Sequence, residues 1–415
     1  MHPLTSFADG AAPRFGRLSR ALGGVFGLKI SLRWVHGHAM HTGLDRLAVG
    51  FDGCVRGKRL ALICNQTSVD RWGVHAVQVL GRIKNTSVEV LMGPEHGIWS
   101  THQDMESVDA SLEVLDPVFR LPVVSLYGED AKSLRPDPKL FRGVDAVVFD
   151  VQDIGSRYYT YAATLALTME AAQEAGVPVV ILDRPNPIGH HVEGPLLKEG
   201  FESFVGLEPG LPIRHGMTIG ALGRWYRSRR APSCELIVVE CDSAGAPAWV
   251  PPSPNMPTVD TALVYPGMCL LEGTTLSEGR GTTTPFLLFG APGIDPLALV
   301  ERLKIFDCPG LDFAPRVFRP EFGKHAGELC GGAFIRVFDW TAIRAVDLGV
   351  YVLSAVKEVA PQAFGWRQDA YEFVEDIPAI DLLWGSTELR EAIDEGKGPA
   401  RVIKNAHAEA AAFSP

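Results

Sequence analysis

Glu95 and His96, two side chains that can transfer protons, stand together in the segment GPEHG, residues 93–97. The proline fixes one backbone angle and the glycines allow unusual ones, so this turn can hold both side chains in place. A carboxyl group held beside the ring of Trp99 would suit the general acid of a hydrolysis. The alternative is a tight turn with a solvated glutamate. We favour a catalytic role and predict that Glu95 and His96 are catalytic.

Acids, an amide, an arginine and several tyrosines are concentrated in residues 150–161, DVQDIGSRYYTY. The mixture suits a sugar, because aromatic faces stack on pyranose C–H groups while carboxylates and amides hold hydroxyl groups. The alternative is that Ser156 caps a helix and the tyrosines belong to the core. Asp153 is predicted to be catalytic. The predicted substrate-binding residues of this segment are Asp150, Gln152, Arg157, Tyr159 and Tyr161.

Prolines fix the direction of two asparagines, one in LDRPNP and one in PSPNMP, as the orientation of a ligand would require. Each segment can instead be a self-contained rigid turn, in the first case around an Asp–Arg ion pair. RHGMTIG places a histidine before a predicted helix, and an asparagine follows the first predicted strand. The predicted substrate-binding residues of these segments are Asn65, Arg184, Asn186, His215 and Asn255.

The elements that must position these residues are short β-branched runs that alternate with helical segments. The predicted strands are residues 59–64, 88–92, 122–126, 146–150, 178–182 and 235–239. This alternation predicts an α/β fold, a Rossmann-like and mostly parallel sheet with helices on both faces. Polar clusters follow five of these strands, and open parallel sheets bind ligands beyond the carboxyl ends of their strands. The clusters are therefore expected to line one crevice.

Composition places limits on the partners and on the domain organisation. The 415 residues suggest a Rossmann-like catalytic domain over 42–250 and a smaller C-terminal α+β lobe over 251–415 that closes the cleft. A net charge of −10 argues against nucleic acid as a partner. No apolar run reaches the ~20 residues that a membrane span needs. The oligomeric state is left open.

Seven cysteines without a C-x-x-C pair favour a reducing compartment. An arginine-rich and apolar stretch near the start resembles an export signal, but Lys29 and Arg33 interrupt it. We therefore expect a disordered leader over residues 1–41 and a cytoplasmic protein. Translation from Met40, or a periplasmic or secreted protein, is the alternative.

No cofactor and no metal are expected. The sequence contains no G-x-G-x-x-G after a strand, and no P-loop, H-E-x-x-H or G-x-S-x-G motif. His36, His38 and His41 have the spacing of metal ligands, but no strand precedes them to hold them rigid.

Seven motifs in a fixed order carry a family resemblance: GPEHG, DVQDIGSRYYTY, LDRPNP, VEGP, RHGMTIG, PSPNMP and EGTTLSEGRGTTTPF. Over roughly residues 42–405 the sequence resembles the DUF1343 family, which includes exo-β-N-acetylmuramidases of the NamZ type. The resemblance implies a Rossmann-like domain, a smaller lobe, and a cleft between them that removes N-acetylmuramic acid (MurNAc) from the non-reducing end of peptidoglycan fragments. It also implies that Glu95 is the catalytic glutamate.

The sequence departs from the family pattern at two places. Residues 98–104, IWSTHQD, replace a turn that commonly contains glycine and arginine, which could alter a substrate subsite. Ala221 stands where the family usually has glutamate, so a carboxylate at that position is not essential if the activity is retained.

A glycosidase usually pairs its acid with a second carboxylate. Asp150, Asp153 and Glu278 are the candidates, and the Asp150–Asp153 turn is favoured, because neighbouring loops of one sheet hold their geometry better than two lobes. Glu278 is nevertheless retained as a predicted catalytic residue. Assistance by the 2-acetamido group of the substrate is the alternative.

The implied substrate is a peptidoglycan-derived saccharide that contains MurNAc. Its lactyl carboxylate suits the planar fork of an arginine, and Arg157, Arg184 and Arg280 are the candidates. Two other functions stay open, namely another carbohydrate or ester hydrolase on the same scaffold and a non-catalytic protein that binds cell-wall sugars. A binder needs stacking rings and hydrogen bonds, but no proton-donating acid.

Overall fold

A computed structural model of the chain describes residues 42–103, 114–128, 130–242 and 248–415. The described residues form one compact unit. The predicted leader and its three histidines lie outside the described residues. None of the helices in the described part of the chain is both long and apolar enough to cross a membrane.

The described ranges contain eleven strands, which form three sheets. They are β1 Arg59–Cys64, β2 Ser87–Gly93, β3 Val123–Ser125, β4 Ala146–Asp150, β5 Val179–Leu182, β6 Glu193–Leu196, β7 Pro212–Arg214, β8 Leu236–Val239, β9 Leu288–Ala291, β10 Leu311–Phe318 and β11 Cys330–Val337.

The same ranges contain ten α-helices and several short 3-10 turns. The helices are α1 Gly43–Ala48, α2 Ala76–Gly81, α3 Tyr161–Ala175, α4 Ile219–Arg230, α5 Val259–Met268, α6 Pro296–Leu303, α7 Ala345–Val359, α8 Ala379–Trp384, α9 Glu388–Asp394 and α10 Ala400–Ala412.

The largest sheet has six parallel strands in the order β3-β2-β1-β4-β5-β8. The chain moves outward from β1 to β3, then returns to pair β4 with the other side of β1. The gap beyond the ends of β1 and β4 is therefore a topological switch point, the place where such sheets bind ligands. The predicted Rossmann-like fold class is confirmed, and β1 and β4 begin and end at the predicted residues.

Both faces of this sheet are covered, which explains why its strands are continuously apolar. Successive side chains of β4 point to opposite faces. Val147 and Phe149 join the larger core cluster, whereas Ala146 and Val148 join a second cluster with α1 and α2. All five residues of β4 are buried.

The C-terminal part of the chain contributes a smaller antiparallel sheet in the order β10-β11-β9 and most of the remaining helices. Its core is continuous with that of the large sheet, because Ile335 of β11 and Ile63 of β1 belong to the same apolar cluster. The predicted smaller C-terminal α+β region is thus present. The predicted boundary at 250/251 stays a prediction.

Candidate active site

A pocket lies beyond the carboxyl ends of β2 and β4. These two strands flank β1, so the pocket lies beside the switch point. The large-sheet half of the chain contributes Glu95, His96, Tyr158, Tyr159, Thr160 and Val205 to its walls. Segments after residue 250 contribute Ser253, Asn255, Met256, Tyr265, Glu272, Arg280, Phe286, Tyr371 and Glu372. We call this the central pocket.

Glu95 enters the central pocket from a sharp turn at the end of β2. His96 has a φ of 71° and Gly97 a φ of 76°, so two consecutive residues adopt left-handed conformations. The histidine tolerates this conformation only at an energetic cost, and such strain is concentrated at functional sites. Glu95 is 4% exposed, and its Oε2 accepts a hydrogen bond of 2.6 Å from the hydroxyl of Thr160, just before α3.

His96 is held as a neutral ring. Burial lowers the pKa of His96, and the positive charge of Arg280 lowers it further, against the opposing effect of Glu95. Its Nδ1 lies 3.1 Å from the carbonyl oxygen of His102, and because a carbonyl can only accept, Nδ1 carries the hydrogen. The turn therefore places one carboxyl group and one neutral imidazole at the pocket.

Aromatic rings form one wall of the central pocket. Tyr159 meets Tyr265 edge to face at 5.7 Å, and Tyr265 meets Phe286 in the same manner at 4.8 Å. Burial raises the pKa of the Tyr159 and Tyr265 phenols well above its ordinary value, so both stay neutral. Such a wall suits the apolar face of a sugar ring.

Opposite charges balance on the side that the C-terminal part contributes. Arg280 donates to Glu272 at 2.7 Å, and its Nε lies 3.4 Å from Glu278, which also pairs with Lys324 at 3.0 Å. The hydroxyl of Tyr371 donates to Glu272 at 2.6 Å. Burial alone would raise the pKa of Glu272, but Arg280 and Tyr371 outweigh it and hold the pKa below its ordinary value.

The ring of Trp99 does not provide the predicted environment of Glu95. It stacks on Phe119 at 5.8 Å, and its indole nitrogen donates to Asp116 at 2.7 Å. Trp99 thus packs against the second apolar cluster. The rings that line the pocket with Glu95 include Tyr158 and Tyr159, just before α3, and of these two Tyr159 was predicted to contact a sugar.

The structure brings five of the predicted site residues together in the central pocket: Glu95, His96, Tyr159, Asn255 and Arg280. The amide nitrogen of Asn255 donates to Gln103 at 3.1 Å, which ties the segment after β8 to the loop after β2. Arg280 alone among the three candidate arginines lines the pocket. The substrate contacts of these residues stay predictions.

Arg157 and Arg184 lie outside the pocket lining, with buried side chains committed to other groups. Arg157 donates to the carbonyl oxygens of three separate segments, at Pro195, Leu211 and Leu383, and burial lowers its pKa to about 10. Arg184 forms a buried ion pair of 2.6 Å with Asp150. These contacts hold loops together.

Four further predicted residues also use their polar groups internally. Asn65 donates to Tyr161, whose hydroxyl donates to the carbonyl oxygen of Pro252 at 2.6 Å. Gln152 donates to the carbonyl oxygen of Pro185 at 2.9 Å. Asn186 donates to the carbonyl oxygen of Met217 at 3.0 Å. None of these four residues lines the central pocket. Their direct contacts with substrate stay predictions, which their positions do not support.

Asp153 and His215 form a buried pair behind the pocket wall. His215 Nε2 lies 3.7 Å from Asp153 Oδ2, which also accepts the backbone N–H of Gly155 at 2.6 Å. Burial raises the pKa of Asp153 to about 7 and lowers the pKa of His215 to about 3. Asp153 and Glu278, the two carboxylates predicted to be catalytic beside Glu95, are both buried, and neither lines the pocket.

The pocket-lining residues that the sequence did not predict include Glu272, Tyr371 and Glu372. Glu272 opens the motif EGTTLSEGRGTTTPF, so the motif itself was an available signal. Tyr371 and Glu372 follow no strand and carry no glycine or proline beside them, and their position became visible only in three dimensions. Within the described ranges, no three His, Cys, Asp or Glu side chains cluster as a metal site would require.

A buried acid in an aromatic pocket at the switch point of a parallel sheet is the site of an α/β enzyme. Two sequence models of one family match this chain: "Exo-beta-N-acetylmuramidase NamZ, N-terminal" over residues 60–260 and its C-terminal counterpart over residues 263–415. The chain belongs to this NamZ family, which confirms the resemblance found in the motifs.

Individual relatives agree with this assignment. The chain is 38% identical over 376 residues to the peptidoglycan β-N-acetylmuramidase NamZ of Bacillus subtilis strain 168, covering 88% of this chain and 87% of the relative. Two crystal structures of DUF1343 family proteins from Bacteroides fragilis NCTC 9343 share the fold. One has a TM-score of 0.77 at 28% identity and covers 90% of this chain and 98% of its own. The other has a TM-score of 0.67 at 26% identity and covers 90% and 96%.

Proposed function

We propose that this chain is an exo-β-N-acetylmuramidase, a glycoside hydrolase that releases MurNAc from the non-reducing end of peptidoglycan fragments. The observation that carries the proposal is Glu95, a buried carboxyl group hydrogen-bonded to Thr160 at 2.6 Å in an aromatic pocket. Membership of the NamZ family supports the substrate class.

Glu95 acts as the general acid. The hydrogen bond that Oε2 accepts from Thr160 fixes the direction of the carboxyl group, which delivers its acidic proton. That proton passes to the glycosidic oxygen as the bond to the anomeric carbon breaks, so the aglycone leaves as a neutral alcohol. A positioned proton donor contributes ~10²–10⁴ in rate.

Arg280 recognises the lactyl carboxylate that distinguishes MurNAc from N-acetylglucosamine (GlcNAc). A guanidinium suits a carboxylate because its planar N–H groups match the two oxygens. Arg280 lies in the pocket wall, with its guanidinium 5.1 Å from the ring of Phe286. Its two glutamate partners hold the side chain in a fixed direction.

Hydrolysis of a chromogenic β-MurNAc glycoside, beside the matching β-GlcNAc glycoside, tests the proposal. We expect turnover of the first and little of the second. Turnover of GlcNAc or of simple esters with MurNAc untouched would instead favour the other hydrolase activities. Saturable binding of MurNAc without any turnover would identify a sugar-binding protein.

We further propose a reducing, cytoplasmic location. All seven cysteines are free thiols, and four of them are buried. Fusion of the full chain to a reporter that is active only after export would test this proposal, and a strong signal from the reporter would place the protein in the periplasm or outside the cell.

A further inference from the structure

The segment that brings Glu372 to the central pocket is a two-residue turn with unusual backbone angles. Tyr371 and Val374 exchange both of their backbone hydrogen bonds, each 3.0 Å long. The two residues between them, Glu372 and Phe373, have φ values of 46° and 67°. Positive φ at both central positions is the pattern of a type I′ turn, which strongly prefers Asn-Gly. Glutamate and phenylalanine adopt this conformation only with strain.

Contacts on both sides hold the strained turn against the pocket. Tyr127, after β3, donates its hydroxyl to Glu372 at 3.3 Å, and its ring lies 5.9 Å from the ring of Phe373. On the other side, Tyr371 donates to Glu272 at 2.6 Å. The turn therefore joins the edge of the large sheet to the charged network of the C-terminal part, and Glu372 is only 4% exposed.

Three carboxyl groups line the central pocket, and their contacts divide them. Glu95 is the proposed proton donor. Glu272 uses one oxygen for Arg280 and the other for Tyr371, so it positions those two side chains. Glu372 is the third, and it comes from a different segment of the chain, 277 positions beyond Glu95 by residue number. A strained residue persists where the surrounding structure enforces it, and such sites are often functional.

We propose that Glu372 is the second catalytic carboxylate, which replaces Asp153 and Glu278 as the partner of Glu95. The proposal rests on the proposed glycosidase function. Glu372 accepts the proton that the attacking nucleophile gives up, either an O–H of water or the N–H of the 2-acetamido group of the sugar. The anomeric carbon gains a bond to the water or acetamido oxygen, and the electron pair of the broken bond goes to the glycosidic oxygen with the proton of Glu95.

The two protons then return. If water attacks directly, free MurNAc forms at once, Glu372 loses its proton to solvent, and Glu95 regains one. If the acetamido oxygen attacks, a neutral oxazoline forms. Water then opens the oxazoline, giving its proton to Glu95 while Glu372 returns a proton to the ring nitrogen. In both cases the atoms balance without any other reactant.

Glu372→Asn separates catalysis from structure, because asparagine suits the left-handed backbone but cannot take up the proton. With the chromogenic β-MurNAc glycoside, we expect kcat to fall by ~10²–10⁴ while KM stays within a few-fold. We expect the melting temperature to rise. A structural role for Glu372 predicts the opposite pair of results, a lower melting temperature with kcat nearly unchanged.

Two further variants serve as controls. Phe373→Asn relieves the strain at the neighbouring position and keeps the acid, so its kcat should stay close to that of the unmutated chain. Glu95→Gln should lose much less activity on an aryl glycoside than on a disaccharide, because an activated leaving group needs no proton. Glu372→Asn should lose activity on both substrates alike. Normal turnover by Glu372→Asn in an otherwise active preparation would overturn the proposal.

Failure of the proposed function has a different signature. In that case the unmutated chain itself would not hydrolyse the MurNAc glycoside, and the assignment of Glu372 would fall with the activity. An active unmutated chain, an inactive Glu95→Gln variant on the disaccharide and an active Glu372→Asn variant would reject Glu372 alone.

Discussion

The central pocket and a buried polar layer formed by Asp150, Asp153, Arg157, Arg184 and His215 both include residues that follow strands of the parallel sheet, yet they differ in how their charges are used. In the layer, Asp150 pairs with Arg184 and Asp153 faces His215, all of them buried. In the pocket, Glu95 stands on a strained turn among aromatic rings. A polar cluster at a strand end therefore marks the region of a site, whereas the direction of each side chain decides whether it lines the site.

The partners explain the difference further. Arg157 donates to carbonyl groups and Arg184 pairs with Asp150, so these two side chains hold loops together. In contrast, Arg280 comes from a loop of the C-terminal part and lines the pocket. The layer should therefore govern stability, and the pocket should govern turnover.

The largest effect on stability should come from Arg184→Ala. It leaves the carboxylate of Asp150 buried and unpaired, which costs roughly 3–5 kcal/mol of unfolding free energy. Chemical denaturation measures it. The matched control is Arg336→Ala, which removes an exposed ion pair with Asp312 and should cost at most about 1 kcal/mol. Equal losses in the two variants would contradict a structural role for the layer.

Asp153 and His215 should give opposite dependences of stability on pH. In His215→Gln, Asp153 remains with a pKa raised to about 7, so stability is full below about pH 4 and is lost as the pH rises towards 7. In Asp153→Asn, His215 remains with a pKa lowered to about 3, so stability is full above about pH 6.5 and is lost as the pH falls.

The difference in unfolding free energy between these two variants, measured from pH 4.5 to 6.5, cancels the contributions of all other groups. As the pH rises, the unfolding free energy of Asp153→Asn should increase relative to that of His215→Gln by a few kcal/mol, because each unit of pKa shift corresponds to about 1.4 kcal/mol. A flat difference would show that the two groups do not titrate as a buried pair.

Arg280→Ala should lower kcat/KM for MurNAc glycosides by about 10–100-fold and lower it less for GlcNAc glycosides, because a charge-assisted pair with the lactyl group is lost. Both substrates are assayed with the same preparation of each variant, so a lower fraction of folded protein does not change the ratio of the two kcat/KM values. Arg157→Ala is the control in the layer, and it should lower the melting temperature without changing the preference. Retention of the full MurNAc preference by Arg280→Ala would place lactyl recognition elsewhere.

The smallest effect should come from chelation. The sequence offers no ligand set with usable spacing outside residues 1–41, so we expect exhaustive treatment with EDTA to leave turnover unchanged. Loss of activity that zinc restores would contradict this expectation.

The sequence predicted the fold well because a sheet that is covered on both faces has strands that appear in the sequence as continuous apolar runs. Residues 59–64 and 146–150 agree with β1 and β4 at both ends. Glu95 was predictable as well, because proline and glycines on either side of an acid at a strand end indicate a constrained turn. Helix ends were less precise. The pattern of residues 74–83 predicted a helix, whereas α2 begins two residues later, at Ala76, where His75 accepts the N–H of Val77 as an N-cap.

The remaining part of the site could not be read from local pattern. The guanidinium of Arg157 finds its carbonyl partners 38, 54 and 226 positions away, and nothing near residue 157 indicates that it is enclosed. Glu372 lies on a turn whose residues are poor matches for its backbone. Local propensity argues against such a turn, and only tertiary contacts, such as that with Tyr127, explain it.

The central claim is that the chemistry resides in the pocket and not in the layer behind it. Glu95→Gln and Asp153→Asn, assayed side by side for release of free MurNAc from a MurNAc-β-1,4-GlcNAc disaccharide, test it most directly. The account predicts that kcat falls by ~10²–10⁴ in Glu95→Gln and by less than about tenfold in folded Asp153→Asn. Near-normal release by Glu95→Gln, or a larger loss in Asp153→Asn, would contradict it.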